Sequence, residues 1–187
     1  MTCIIGARCS DGVVLSADRK IVDEDIRDFT YRKKLYQYYY PIVVGSSGHI
    51  DPFDNFMKEA LEAAQNITPN SPSDINQTYQ ISGVVHTLPV ATQEKSVINL
   101  FPYIEKLTEI IRKYRKNYSN YRFDVIFAAQ TKERGAFLEY IDSNGLPSDI
   151  YNHYKILGSG NIIANALLNS LWAKDMTMED LHNCVIL

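Results

Sequence analysis

Residues 2–19 read TCIIGARCSDGVVLSADR, which is two apolar runs separated by a short polar turn. The run from Cys3 to Cys9 is rich in residues that favour strands, and Ser10-Asp11-Gly12 is a tight-turn sequence of the kind that joins hairpin strands. Val13 to Asp18 then forms the returning run. This stretch predicts a β-hairpin at the start of the fold.

Strands and helices follow this hairpin in segregated blocks. A charged loop is predicted from Arg19 to Asp28, and a second pair of strands at Lys34 to Tyr40 and Ile42 to Gly45. The later elements predicted are a helix from Asp51, a helix from Pro102 to about Tyr118, strands at Phe123–Ala129, Ala136–Asp142 and Tyr151–Leu157, and helices from Asn161 to about Ala173 and from Thr177. This order predicts the α+β class, with antiparallel sheets and helices packed outside them.

Each long helix is predicted to bury one apolar stripe. For the helix from Asn161, the predicted buried side comprises Ile162, Ile163, Ala166, Leu167 and Leu171. The stretch from Ile67 to Ile98 carries three prolines and alternates only weakly, from Tyr79 to Val85, so we expect an insertion there, with room for a small hairpin. We predict a single domain over residues 1–187.

Composition excludes several classes of function. The net charge is −3 over 187 residues, which argues against nucleic acid as a partner, and no apolar run approaches the ~20 residues of a membrane span. The three cysteines form no CxxC pair and the four histidines have no ligand spacing, so we expect reduced thiols in a cytoplasmic protein, with no metal or cofactor.

The N-terminus suggests a chemistry of its own. Thr2 follows the initiator Met1, and Thr is a small residue of the type after which the initiator is commonly removed. Removal leaves a free α-amine with a pKa near 8 beside the Thr hydroxyl, so one residue carries both nucleophile and base. Such a mechanism needs a cation and an acid to position it. Asp18 and Lys34 are candidates, because each belongs to a strand that can pair next to the first.

Several motifs in order resemble the proteasome β-type subunits, including HslV-like members, which belong to the N-terminal-nucleophile hydrolases. Fifteen residues separate Asp18 from Lys34, as in that family. The matching segments are Thr2-Cys3-Ile4-Ile5-Gly6, Asp11 to Arg19, Lys33-Lys34-Leu35, Val44-Gly45-Ser46-Ser47-Gly48, Phe123 to Thr131, Leu157-Gly158-Ser159-Gly160 and, more weakly, Met176 to Asp180.

The resemblance implies a role for particular residues. Thr2 is the nucleophile and its freed amine the general base, Lys34 keeps the local potential positive, and Asp18 holds Lys34. The Gly45 N–H lines the oxyanion hole, and Ser159 hydrogen-bonds near the nucleophile. Two further residues, Ile21 and Val43, fall near the positions that line the pocket for the substrate residue preceding the cleaved bond.

The resemblance also implies a fold, an activity and partners. The fold is a four-layer αββα sandwich, and the activity is that of a threonine-type peptidase acting on peptides or unfolded proteins. The partners are other copies in a homo-oligomeric ring, with α-type subunits and an ATPase. The family pattern continues with strands beyond Leu187, so we expect a sheet that lacks its C-terminal strands and has an edge to be covered. Two alternatives stay open: an inactive ring or scaffold subunit, and an acyl-transfer (transpeptidase) variant.

Overall fold

The computed structural model describes most of the chain, with gaps. The described residues are 2–23, 28–31, 34–39, 42–49, 55–60, 62, 85–89, 101–117, 119–120, 122–131, 135–150 and 153–185. Within them, every strand pairing is antiparallel, which confirms the antiparallel sheets expected from the sequence.

The predicted N-terminal hairpin forms the middle of a four-stranded sheet. Strand β1 (Ile4–Cys9) pairs with β2 (Gly12–Ala17), and the two-residue turn between them lies at the predicted position. The other edge of β1 pairs with a later strand, β11 (Tyr154–Leu157). The strand order is therefore β11-β1-β2-β7. The start of β1 therefore lies beside the end of β11, where Leu157 pairs with Ile4.

The fourth strand of this sheet comes from the expected insertion. Strand β7 (Val85–Pro89) pairs with β2 from Ser16↔Val85 to Gly12↔Pro89. Strand β7 is the edge strand of this sheet, next to β2. Pro89 stands at the end of this edge strand, a position at which a missing N–H is tolerated. The rest of residues 67–98 lies outside the described part.

A second sheet has five strands in the order β10-β9-β8-β6-β5. The strands are β5 (Leu35–Tyr39), β6 (Ile42–Gly48), β8 (Phe123–Thr131), β9 (Gly135–Ile141) and β10 (Pro147–Asp149). All except β10 are predicted from the sequence. Strand β6 continues three residues past Gly45 and lies between β5 and β8.

The predicted charged loop from Arg19 to Asp28 is wrong. Strands β3 (Lys20–Asp23) and β4 (Asp28–Tyr31) pair with each other as a separate two-stranded ribbon. In their sequences, KIVD and DFTY, charged residues stand beside short runs of β-branched or aromatic residues, and the charges conceal the strand pattern. Along the chain, this ribbon lies between Asp18, which follows β2, and Lys34, which precedes β5.

Helices lie where the sequence predicts them. Residues 55–60 are helical, α1 runs over Phe101–Asn117, α2 over Asn161–Leu171 and α3 over Met178–Val185. The predicted helix start at Asp51 and Pro52 lies outside the described residues. The predicted cap of α3 is confirmed, because Thr177 Oγ1 donates to Asp180 Oδ2 at 2.7 Å and accepts the Asp180 N–H at 3.2 Å.

The core consists of three apolar clusters. One joins the five-stranded sheet to α1 and residues 56–60, and includes Leu107, Ile111 and Phe127. A second draws on strands of both larger sheets, including Ile4, Val43 and Ile126. The third joins the four-stranded sheet to α2 and α3, and includes Val14, Ala164, Leu168 and Leu181.

The predicted buried side of α2 is wrong. Ala164 and Leu168 are the buried residues of this helix, whereas Ile162 and Ile163 are 78% and 68% exposed. Because α2 is apolar over most of its circumference, the helical period alone selects the wrong face.

Candidate functional site

Thr2 lies shortly before β1, at one end of the four-stranded sheet. Its carbonyl accepts the Gly160 N–H at 3.0 Å. The next residue is also held, since the Cys3 N–H donates to Asp18 Oδ1 at 2.6 Å and the Cys3 carbonyl accepts the Asp18 N–H at 3.0 Å. The backbone around Thr2 is therefore fixed from both neighbouring strands.

A lysine ammonium faces the Thr2 hydroxyl. Lys34 Nζ lies 3.2 Å from Thr2 Oγ1, and the same ammonium donates to both carboxylate oxygens of Asp18, at 2.8 and 2.9 Å. The lysine side chain is only 5% exposed and that of Asp18 is 33% exposed. A positive charge in such a half-buried position stabilises negative charge that develops on the hydroxyl oxygen.

Asp18 connects the lysine to the nucleophile's own strand. One carboxylate binds the Lys34 ammonium and the Cys3 amide at once, so it fixes the cation relative to the residue after Thr2. The predicted trio of Thr2, Asp18 and Lys34 is thus brought together by three separate elements: the start of β1, the end of β2 and the start of β5.

The turn after β11 closes the other side of Thr2. Ser159 Oγ accepts the Thr2 N–H at 3.1 Å, so the predicted serine does lie beside the candidate nucleophile. Gly158 adopts a φ of +90°, and a Cβ at this position would lie 2.2 Å from the Thr2 carbonyl oxygen and 3.0 Å from Ser47 Oγ. Glycine is needed here both for its backbone conformation and for the close approach to Thr2.

Gly158→Ala is expected to destabilise the fold by about 3 kcal/mol and to displace Thr2. Alanine is strained at the left-handed φ of this position, and its methyl group would overpack against the Thr2 carbonyl. Gly160→Ala is the comparison that adds overpacking alone, because its φ is an ordinary −79° while its Cβ would lie 2.8 Å from the Cys3 Cβ and 3.5 Å from the Thr2 carbonyl oxygen. Urea unfolding of both variants tests this. Equal losses of stability at the two positions would contradict it.

The remaining predicted residues lie on strands β3 and β6. Gly45 is on β6, paired with Leu35 of β5 on one side and Ile126 of β8 on the other. Val43 is 1% exposed and belongs to the cluster shared by the two sheets. Ile21 lies on β3, and its side chain is outside the described part. The oxyanion role of Gly45 and the pocket roles of Ile21 and Val43 stay predictions.

The Cys3 thiol is a poor competitor of Thr2 as nucleophile. Burial raises its pKa, and the negative charge of Asp18 adds to this more than the positive charge of Lys34 offsets it. The raised pKa keeps the sulfur protonated at neutral pH, and the thiolate is the reactive form. Cys9 is similar, with a pKa raised by burial to about 11.

A second polar cluster lies between the sheets on the side of β9. Asp124 Oδ1 accepts the Tyr140 hydroxyl at 3.2 Å and the Ser143 N–H at 2.9 Å, while Lys155 Nζ lies 4.2 Å from the centre of the Tyr140 ring. Burial raises the pKa of Asp124 and also that of Tyr140. The carboxylate of Asp124 is therefore disfavoured in the folded chain relative to the unfolded one.

Asp124→Asn is expected to increase stability at pH 7, because an amide oxygen can accept the same two hydrogen bonds without a charge to desolvate. The folded pKa is raised, so the folded chain binds the proton more tightly and loses stability as the pH rises through that pKa. The advantage of the variant should vanish below about pH 3.8. Urea unfolding at pH 7 and at pH 3.5 measures this, with the exposed Asp175→Asn as control; a variant less stable at pH 7 would contradict it.

Sequence reasoning missed the part that glycine plays at this site. The sequence analysis treats Gly158-Ser159-Gly160 as a turn with one functional serine. In the structure Gly158 lies against the Thr2 backbone, and Gly160 lies against the Cys3 side chain and donates its N–H to the Thr2 carbonyl. The spacing of the two glycines around the serine is the only signal that the sequence offers for this.

Neither a comparison of the sequence with protein families nor one with curated proteins finds a match. Solved structures are similar in fold. Anbu (ancestral beta-subunit) from Yersinia bercovieri has a TM-score of 0.72 at 15% identity, over 98% of this chain and 71% of that one. The Anbu (Gly-1) mutant from Hyphomicrobium sp. strain MC1 has a TM-score of 0.73 at 16% identity, over 100% of this chain and 73% of that one.

These similarities correct the family placement made from motifs. The resemblance to proteasome β-type and HslV-like subunits is wrong as a placement, because the similar structures are Anbu proteins. At 15–16% identity to these structures, the motifs alone are too few matching residues to place the chain. No helix in the described part of the chain is long and apolar enough to cross a membrane. The chain shares the fold of these Anbu structures.

Proposed function

We propose that this protein hydrolyses amide bonds with Thr2 as an N-terminal nucleophile, after removal of Met1. One observation carries the proposal: the Lys34 ammonium, held by Asp18, lies 3.2 Å from Thr2 Oγ1. A buried cation pointing at an otherwise ordinary hydroxyl is the arrangement that lowers the cost of making an oxyanion at that atom. The related fold of the Anbu structures supports the proposal.

The reaction uses the freed amine as its base. The amine takes the proton of Thr2 Oγ1 as the oxygen attacks the carbonyl carbon of the substrate amide. The tetrahedral intermediate collapses, the amine returns the proton to the departing nitrogen, and an ester to Thr2 remains. Water then attacks the ester with the same amine as base, releasing the acid and the free Thr2 hydroxyl.

Two neighbours assist this cycle. Lys34 stabilises negative charge on Oγ1 and lowers the proton affinity of the amine. Ser159, whose Oγ lies 3.1 Å from the Thr2 nitrogen, orients the lone pair of the amine. We take peptides or unfolded proteins as the substrates. We also take the three apolar clusters as support for the four-layer αββα sandwich expected from the sequence.

The proposal is tested by comparing two forms of the chain. In one, Met1 is removed by an aminopeptidase; in the other, Met1 is retained under an N-terminal acetyl group. Turnover of fluorogenic peptide amides is expected only in the first form, because an amide nitrogen cannot accept the hydroxyl proton. Equal turnover in both forms, or none in the first, would count against Thr2 as base and nucleophile.

A further inference from the structure

The turn between β9 and β10 carries the only Asn-Gly pair in the sequence, Asn144-Gly145. Asparagine is a thermolabile residue, and it reacts most readily before glycine, because no side chain hinders the backbone nitrogen that follows. Asn144 is exposed at this turn, whereas Gly145 is buried. The pair therefore combines a reactive sequence with access to water.

The reaction of such a pair is a spontaneous deamidation. The Gly145 nitrogen loses its proton and attacks the side-chain carbonyl carbon of Asn144, a new N–C bond closes a succinimide ring, and the side-chain nitrogen leaves as ammonia. Water then opens the ring at one of its two carbonyls, which gives aspartate or isoaspartate. No electrons are gained or lost, and water is the only co-reactant. In isoaspartate the main chain runs through the side-chain carbons and is longer by one methylene.

Asp142 holds this turn closed with both its carboxylate and its carbonyl. The carboxylate accepts the Asn144 backbone N–H at 2.9 Å, the Leu146 N–H at 2.8 Å and the Asn144 side-chain N–H at 3.4 Å. The carbonyl accepts the Gly145 N–H at 2.9 Å, so the nitrogen that must attack is already engaged. Deamidation therefore requires the turn to open, and its rate depends on how firmly Asp142 holds it.

The other side of the turn lies directly on helix α1. Gly145 adopts a φ of +77°, and a Cβ there would lie 2.6 Å from Arg112 Cγ and 3.2 Å from the Thr108 carbonyl oxygen. The turn is also tied to β8, because the Ser143 N–H donates to Asp124 Oδ1 at 2.9 Å. An added backbone methylene next to Gly145 therefore has no space on the side of α1.

We propose that Asn144 is a site of spontaneous deamidation whose rate is set by the hydrogen bonds of Asp142, and that isoaspartate at this position displaces the turn from α1. The modified chain then carries a covalent change that loosens the contact between its five-stranded sheet and this helix. Neither step involves Thr2 or amide hydrolysis by this chain.

Peptide mapping by mass spectrometry during incubation at mildly alkaline pH tests the modification. Asn144 should exchange NH₂ for OH at least about tenfold faster than Asn120, which lies exposed in another turn but is followed by Tyr121. Denaturing urea, which opens the turn, should speed the reaction of Asn144 at least about fivefold. Equal rates at Asn144 and Asn120 would overturn the proposal, as would a rate at Asn144 that urea does not raise.

Asp142→Ala tests the part that hydrogen bonding plays in the folded chain. It removes the carboxylate that accepts three hydrogen bonds of the turn, so Asn144 should deamidate at least about fivefold faster than in the unmodified chain. Asp175→Ala is the matched control, because it removes an exposed carboxylate elsewhere and should leave the rate unchanged. An unchanged rate in Asp142→Ala, with a folded circular dichroism spectrum, would overturn the role of Asp142. The urea comparison tests the same restraint without any substitution.

Urea unfolding of the isoaspartate form, separated by chromatography, tests the displacement of the turn. Asn144→Asp is the matched control, because it adds the same charge without lengthening the main chain. The isoaspartate form should unfold at a midpoint lower than that of Asn144→Asp by at least about 0.5 M urea. Equal midpoints of the two forms would overturn the displacement from α1.

Discussion

Thr2→Ala is expected to abolish amide hydrolysis, with a loss of at least about 10⁴-fold, because no other hydroxyl replaces the oxygen that forms the ester. The fold should change little. The lost hydrogen bond to Lys34 is partly exposed and accounts for about 1 kcal/mol of stability at most. Alanine is also a small residue, so removal of Met1 should be unaffected. Peptide-amide turnover and urea unfolding measure the two parts of this prediction.

Thr2→Ser provides the matched control for this loss. Serine keeps the hydroxyl and the amine, so turnover should stay within about tenfold of the unmodified chain. Undiminished turnover in Thr2→Ala would show that another residue performs the reaction. Loss in both variants would indicate that the substitution acts through packing of the threonine methyl rather than through its oxygen.

Lys34→Met is expected to be the second most damaging change. It removes the ammonium that faces Thr2 Oγ1 while keeping a side chain of similar length, and turnover should fall at least about 10³-fold. The variant also leaves the Asp18 carboxylate without its main partner in a half-buried position. This should cost about 2 to 3 kcal/mol, less than for a fully buried pair because Asp18 is one-third exposed.

A double variant separates the two effects of Lys34. In Lys34→Met with Asp18→Asn both members of the ion pair are neutral, and the asparagine oxygen can still accept the Cys3 N–H. Most of the lost stability should return, whereas turnover should not. Recovery of turnover together with stability would show that the lysine serves only to hold the fold.

The sequence predicts much of the fold because its local signals agree with the tertiary context. The hairpin of β1 and β2, the strands β5, β6, β8 and β9, and the helices α1 to α3 all carry patterns of the right period with turn or cap residues at their ends. The sequence predicts Thr177 as a helix cap with Asp180 at the N3 position because this cap depends on two residues three positions apart.

The errors arise where local pattern and tertiary context diverge. The β3–β4 ribbon is concealed by the charged residues of KIVD and DFTY, because such residues are uncommon in strands. Strand β7 depends on pairing with β2, some seventy residues earlier in the chain, and no local signal indicates that partner. The face of α2 is misassigned because a helix apolar on most sides has no unique stripe.

The candidate site also has a part that the sequence predicts and a part that it does not. Thr2, Asp18 and Lys34 are predictable as chemistry-bearing residues on strands that can pair, and the structure does bring them together. Their family placement is not predictable, because the motifs alone are too few matching residues to place the chain. The demand for glycine at position 158 appears only once its contact with the Thr2 carbonyl is known.

The central claim is that a freed Thr2 is the acylated residue, and intact-mass analysis after treatment with an acylating peptide β-lactone tests it most directly. The reagent opens on the attacking oxygen, so its whole mass stays on the protein as an ester. We predict a chain that lacks Met1 and carries one adduct. Fragmentation should locate this adduct on Thr2, and Thr2→Ala should carry none. A chain that keeps Met1 yet is acylated, or an adduct on Cys3 instead, would contradict it.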